Sequence, residues 1–261
     1  MLLGVNIDHI AVLREARKIN DPNPLDALGI CKLAGANQIT IHLREDRRHI
    51  HDNDALAICA QSVLPVNLEC SINPDIIDII CKLKPTRATL VPENRNEVTT
   101  EGGLDVKRNF EKLQKVIDKL HANEIEVSLF IDPKEEIIEL SKELEVEWVE
   151  LHTGTFANIY AMLYTNLSQT HHSIKELELS KNELKTKLNK SIKEIETSSK
   201  LAKKLNLKVA AGHGLNYQNV TLISKIPEIE ELNIGQSIIA RSVFTGLEKA
   251  IIDMKELIKN D

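Results

Sequence analysis

Ile39-Thr-Ile-His-Leu-Arg-Glu-Asp-Arg-Arg-His49 opens on alternating β-branched residues and turns abruptly into charge. Ile39 and Ile41 read as one face of a strand, because side chains alternate across a strand with period two. His42, Arg44, Glu45, Asp46, Arg47, Arg48 and His49 then crowd together. A core tolerates such density only when each charge has a partner. The mouth of a strand, where acid and base groups meet an anionic ligand, suits it better. A solvated basic loop is the blander alternative. What decides between them is that the same event recurs along the chain.

Residues 2–7 form an apolar run that ends in Asn6, Asp8 and His9. Further strands are expected at 38–43, 65–69, 87–91, 125–131, 148–151, 207–211 and 229–234, each followed by polar groups or glycine. Helical spacing fills the gaps. A turn of helix at 11–16 is expected to expose Arg14 and Arg17. Pro24 opens a second helix, Asp52 or Asn53 caps a third, and Asn73-Pro74 starts a fourth. Asp132-Pro133 is expected to cap the helix after strand five, and 237–257 to form one final helix. Strands alternating with helices imply a parallel sheet. Eight such units in 261 residues point to a closed (β/α)8 TIM barrel with extra helices, as a single domain over 1–261. A doubly wound open sheet is the runner-up, but no GxGxxG loop follows the first strand.

Residues 156–206 are long for one connection and read as a helical insert between strands six and seven. Ile174, Leu188, Ile195 and Ala202 recur at multiples of seven, with Leu177, Leu184 and Leu205 as a partner series diluted by Ser191 and Ser198. The stripe fits a barrel-facing helix with some subunit contact, or half of a coiled coil.

A net charge of −6 argues against a general nucleic-acid partner while allowing a local basic pocket. Aromatic residues, at 3%, are too few for a stacking platform. Cys31, Cys59, Cys70 and Cys81 form no CxxC pair, so they read as thiols in a reducing compartment. No basic leader and no 18-residue apolar run is present, so cytoplasmic localisation without a membrane partner is expected.

The strand ends carry the chemistry. Strand one offers Asn6, Asp8 and His9, strand two His42 and Arg44, and strand three Asn67 and Glu69. Strand six offers Glu150 and His152, and strand seven His213. Each alone is a weak signal, but a barrel brings them to one mouth. Histidine titrates near neutrality, and a glutamate among apolar walls can share proton transfer. Arginines 14, 17, 44, 47 and 48 offer forks suited to phosphate. Gly212-His213-Gly214 and Gly235 before the last helix add backbone donors for a phosphate. No HExxH or paired-cysteine pattern asks for a metal. No lysine stands at a strand end to form a Schiff base. A small phosphorylated metabolite is the expected ligand. An isomerase or epimerase of phosphosugars and a non-catalytic sensor of phosphometabolites remain open alternatives.

Gly4-Val-Asn-Ile-Asp-His-Ile10, Thr40 to Ile50, Asn67-Leu-Glu69, Leu90-Val-Pro-Glu93, Val98 to Val106, Val127 to Asp132, Glu150-Leu-His-Thr-Gly154, Ala211 to Leu215 and Glu231 to Gly235 together resemble the pyridoxine 5'-phosphate synthase family of vitamin B6 biosynthesis. The resemblance spans nearly the whole chain apart from the insert. It implies a (β/α)8 barrel and a homo-octamer assembled from dimers. It also implies a transferase, without cofactor or metal, that condenses 1-deoxy-D-xylulose 5-phosphate with 3-amino-2-oxopropyl phosphate. His42 and Glu69 match its proton acceptors and His213 its proton donor. Asn6 matches a contact to the aminoketone phosphate, and Asp8 and His9 match contacts to the deoxyxylulose phosphate. Arg17, Arg44, His49 and Thr99 match further substrate contacts, and Gly214, Gly235 and Gln236 close the phosphate end. The family pattern places histidine where Gln236 stands, and glutamine can donate to phosphate but cannot titrate. Residues 94–103, glycine-flanked and polar, are expected to form a lid.

Overall fold

The computed structural model describes residues 1–93 and 102–259. Eight parallel strands close into a barrel in sequence order, β8 pairing back onto β1. They are β1 (Leu2–Asn6), β2 (Gln38–His42), β3 (Val66–Cys70), β4 (Arg87–Leu90), β5 (Glu126–Ile131), β6 (Trp148–His152), β7 (Lys208–Gly212) and β8 (Glu231–Ile234). Closure rules out the open doubly wound sheet. The connecting helices are α1 (Asp8–Arg17), α2 (Ala27–Leu33), α3 (Asp52–Gln61), α4 (Pro74–Leu83), α5 (Val106–His121) and α6 (Glu135–Glu143). They continue with α7 (Gly154–Tyr164), α8 (Lys181–Lys204), α9 (Val220–Ser224), α10 (Gln236–Thr245) and α11 (Leu247–Leu257).

The main apolar core lies between barrel and helices. Leu3, Val5, Ile39, Ile41, Leu68, Leu90, Leu129, Val149, Val209 and Leu232 point outward into it and are fully buried. The alternate positions point into the lumen, which is polar rather than walled by apolar side chains. Arg87 donates to both oxygens of Glu231 at 2.8 and 3.3 Å and lies 3.7 Å over the Trp148 ring. Gln38 donates to Glu231 at 3.1 Å, Thr40 to Asn233 at 3.2 Å, and Thr89 to Asn67 at 2.7 Å. These contacts offset much of the cost of burial, although Asn67 Nδ2 and Arg87 Nε are buried without a hydrogen-bond partner.

Several local expectations need correction. Arg14 is buried, not exposed: its guanidinium donates to both Asp54 oxygens at 2.8 and 2.7 Å and to the His49 carbonyl at 2.8 Å. It therefore ties α1 to α3 and to the loop carrying His49, and is spent on structure. Arg14→Ala leaves Asp54 buried without its partner, and should lower unfolding free energy by about 3–5 kcal/mol in urea melts. A loss under 1 kcal/mol would mean that water replaces the guanidinium.

α1 starts at Asp8, so Asp8 and His9 stand on its first turn rather than on a strand. α3 is preceded by His51, whose N–H donates to Asp54 at 2.9 Å; neither Asp52 nor Asn53 is its cap. Asp132 does not cap α6, which begins at Glu135; it accepts the Gly103 N–H at 2.9 Å instead. The expected final helix is two helices, because Gly246 at φ 80° and ψ 155° breaks the hydrogen-bonding run.

The insert holds α7, two short 3-10 turns and α8. Ser180 and Glu183 form a capping box at the start of α8. Its stripe of Leu184, Leu188, Ser191, Ile195, Ser198 and Ala202 is buried within the one chain, against α6, α7 and the barrel. Ser191 and Ser199 donate to carbonyls of their own helix at 2.8 and 2.7 Å. Ser191 and Ser198, the two residues that dilute the heptad, are small and buried and let α8 lie close.

Candidate active site

A cavity of about 530 Å³ opens at the carboxyl ends of the strands. Asn6, Asp8, His9, His42, Arg44, His49, Glu69, His213, Gly214, Gly235 and Gln236 all line it. One of the expected contacts does not join them. Arg17 is exposed at the end of α1 and is not among the lining residues. Thr99, with residues 94–101 of the expected lid, lies outside the described residues.

Register brings the first pair together, since His42 is the β2 partner of Glu69 on β3. His42 Nδ1 lies 3.8 Å from a Glu69 carboxylate oxygen. Its other nitrogen, Nε2, is 2.8 Å from Glu93 Oε1. Its backbone N–H donates to Asp8 at 2.9 Å, and Asn6 donates to the second Asp8 oxygen at 3.0 Å. Arg44 is buried beside Asp46, with Nε 3.3 Å from the carboxylate. Arg47 and Arg48 pair with Asp52 and Asp46 respectively, so much of the basic run is held by its own neighbours.

His213 follows β7 with φ 78°, a left-handed conformation that is rare and strained for a side chain of this kind. The Thr153 hydroxyl lies 2.7 Å from the Gly212 carbonyl and 2.6 Å from that of His213, which secures the bend. Gly214 has φ 78°, and a Cβ there would stand 2.5 Å from Ala157 of α7. His152 packs behind His213 with ring centroids 5.0 Å apart, and Phe130 borders both rings. His152 is buried there and is not among the lining residues.

Burial shapes the electrostatics. It raises the Glu69 carboxyl well above its usual range, and Glu150 and Asp8 add to the rise. It raises Asp8 to about 6, partly offset by His42. Glu150 is pushed up to about 7 by burial, although Asn233 donates to it at 2.8 Å. Burial, with His152 nearby, lowers His213 to about 4. Burial, with His42 and Arg44 nearby, lowers His49 to about 3. His49 and His213 thus favour the neutral imidazole, while Glu69 and Glu150 favour the protonated carboxyl.

A raised carboxyl pKa gives the folded chain more bound protons than the unfolded chain between the two values. Glu150 therefore removes stability as pH rises from about 4.5 to about 7. Glu150→Gln should gain stability relative to the parent over that window, by about 1–3 kcal/mol. Urea melts at pH 4.5 and 7.5 measure it, and an unchanged difference between the two proteins would contradict it.

Glu93, Asn233 and Phe130 were not singled out from sequence. Glu93 closes strand four as other acid groups close their strands, and that position was the available signal.

Proton transfer on a small anionic molecule is what this mouth is equipped for, which places the chain among (β/α)8-barrel enzymes of the acid–base kind. The family model described as pyridoxal phosphate biosynthesis protein PdxJ matches residues 3–260, and the chain belongs to that family. Pyridoxine 5'-phosphate synthase of Aliarcobacter butzleri is 91% identical over 261 residues, covering 100% of both chains. That of Sulfurovum sp. is 65% identical over 99% of this chain and 100% of its own. Among solved structures, phosphoribosyl anthranilate isomerase from Thermococcus kodakaraensis aligns over 100% of this chain and 99% of its own. Its TM-score is 0.60 at 11% identity, a likeness of fold alone.

Proposed function

We propose that the chain condenses 3-amino-2-oxopropyl phosphate with 1-deoxy-D-xylulose 5-phosphate to give pyridoxine 5'-phosphate, inorganic phosphate and water. The observation that carries this reading is the convergence of Glu69, His42 and His213 on one cavity, in a chain so close to synthases of that name. The substrate amine attacks the ketone of the deoxyxylulose phosphate. Water leaves and an enamine forms, with Glu69 and His42 moving the protons. His213 gives a proton to departing phosphate or in a later dehydration, and ring closure with loss of water yields the pyridine.

His213 is neutral in the free site at neutral pH, so it must be charged before it can act as an acid. A phosphate dianion beside it favours that charge. Asn6 is assigned to the aminoketone phosphate, and Asp8 and His9 to the deoxyxylulose phosphate. Arg44, His49 and Thr99 complete the substrate contacts. Gly214, Gly235 and Gln236 bind phosphate at the N-terminus of α10. Gln236 does so as a donor only. The active form is a cytoplasmic homo-octamer assembled from dimers, each subunit one domain over 1–261, acting on small phosphorylated substrates without metal or cofactor.

Pyridine absorbance measured with both substrates, and with each alone, tests the reading. Growth only with both supports it. Turnover of one substrate alone would indicate a phosphosugar isomerase or epimerase, and tight binding without turnover a sensor.

A further inference from the structure

Resting on that reading, we propose that Glu93 is a positioning residue that fixes the ring tautomer of His42. Glu93 is at the end of β4, and its side chain is only 6% exposed. Both of its oxygens are engaged by β2 and the loop after it. Oε1 is 2.8 Å from His42 Nε2, and Oε2 accepts the Glu45 N–H at 3.0 Å. Glu45 is itself held, because the buried Ser71 hydroxyl donates to it at 2.7 Å. The carboxylate is thereby clamped between the ends of β2, β3 and β4.

An ionised carboxylate only accepts hydrogen bonds. Burial raises the Glu93 carboxyl, but the His42 contact and the Glu45 N–H outweigh it and hold the group below its usual range. His42 must then carry its proton on Nε2. Nδ1 is left as the basic nitrogen, and Nδ1 is the atom that faces Glu69 at 3.8 Å. Asp8 fixes the backbone of His42, and Glu93 fixes which nitrogen of its ring is free to take a proton from the Glu69 side. Orientation and tautomer control by a carboxylate behind a working imidazole is a general device.

Glu93→Gln separates this role from simple bracing. The amide oxygen still accepts the Glu45 N–H, and the side chain keeps its volume. Its NH2 then faces His42 Nε2 and can only donate, which drives the proton onto Nδ1. Nitrogen-15 NMR of the imidazole rings reads the tautomer directly, with the His42 signal assigned by its loss in His42→Gln. The resting parent chain should show His42 protonated on Nε2 alone, and Glu93→Gln should show Nδ1 protonation. The kcat for pyridine formation should fall tenfold or more in Glu93→Gln, with KM within about threefold. A parent His42 protonated on Nδ1 or on both nitrogens, or a kcat loss below tenfold, overturns the assignment. If the parent makes no pyridine from both substrates, the reaction reading fails, and the resting tautomer still decides the role of Glu93.

Discussion

Glu69→Gln should bind both substrates and turn them over at least about 100-fold more slowly, within the range attributed to general acid–base groups. The expectation rests on three features of the site. The carboxyl lies 3.8 Å from His42 Nδ1, within reach of a short proton step once a substrate draws the pair together. Burial, with Glu150 and Asp8 as negative neighbours, keeps its proton affinity high, so it holds a proton where an ordinary glutamate would not. The amide has the same size and polarity but no proton to exchange. Loss should therefore fall on kcat, with equilibrium binding of each substrate within about threefold. Near-normal kcat would remove Glu69 from proton transfer and leave His42 and His213 to account for it.

The second large effect is structural. Arg87→Met should cost about 3–5 kcal/mol of unfolding free energy, the scale for stranding one buried charge. Arg87 and Glu231 are 5% and 2% exposed, and their forked contact sits in the barrel lumen. Removing the guanidinium leaves Glu231 with the amide donors of Gln38 and Asn233. Asn233 also holds Glu150, so the damage should reach the floor of the active site. Arg87→Met combined with Glu231→Gln should recover part of the loss, because no charge is then stranded. Denaturant melts of the three variants decide it; a single variant within 1 kcal/mol of the parent would show that the lumen is wet enough to screen Glu231.

Much of this was legible in the chain. The eight strand–helix units, the insert and the polar strand ends all follow from period and punctuation, and the structure places most of the expected site residues around one cavity. The misread parts share a cause: they depend on partners distant in sequence. Arg14 looked exposed because Asp54, forty residues later, is what buries it. Glu93 was not singled out because only the closed barrel sets it against His42. The polar lumen was partly readable after all. Gln38, Thr40 and His42 occupy alternate positions of one strand, as do Asn67 and Glu69, Arg87 and Thr89, and Glu231 and Asn233. Such alternation with apolar residues is normally the mark of a solvated sheet face, and closure turns that face inward. Gly246 was missed because helical spacing continues on both sides of it.

The central claim is that phosphate loss waits on condensation of two substrates in one cavity. Rapid-quench measurement of a single turnover, with enzyme in excess over deoxyxylulose phosphate, addresses it most directly. The account predicts no phosphate until the aminoketone is added, then one phosphate released for each pyridine formed. Phosphate released from the sugar alone, or released in excess of pyridine, would contradict it.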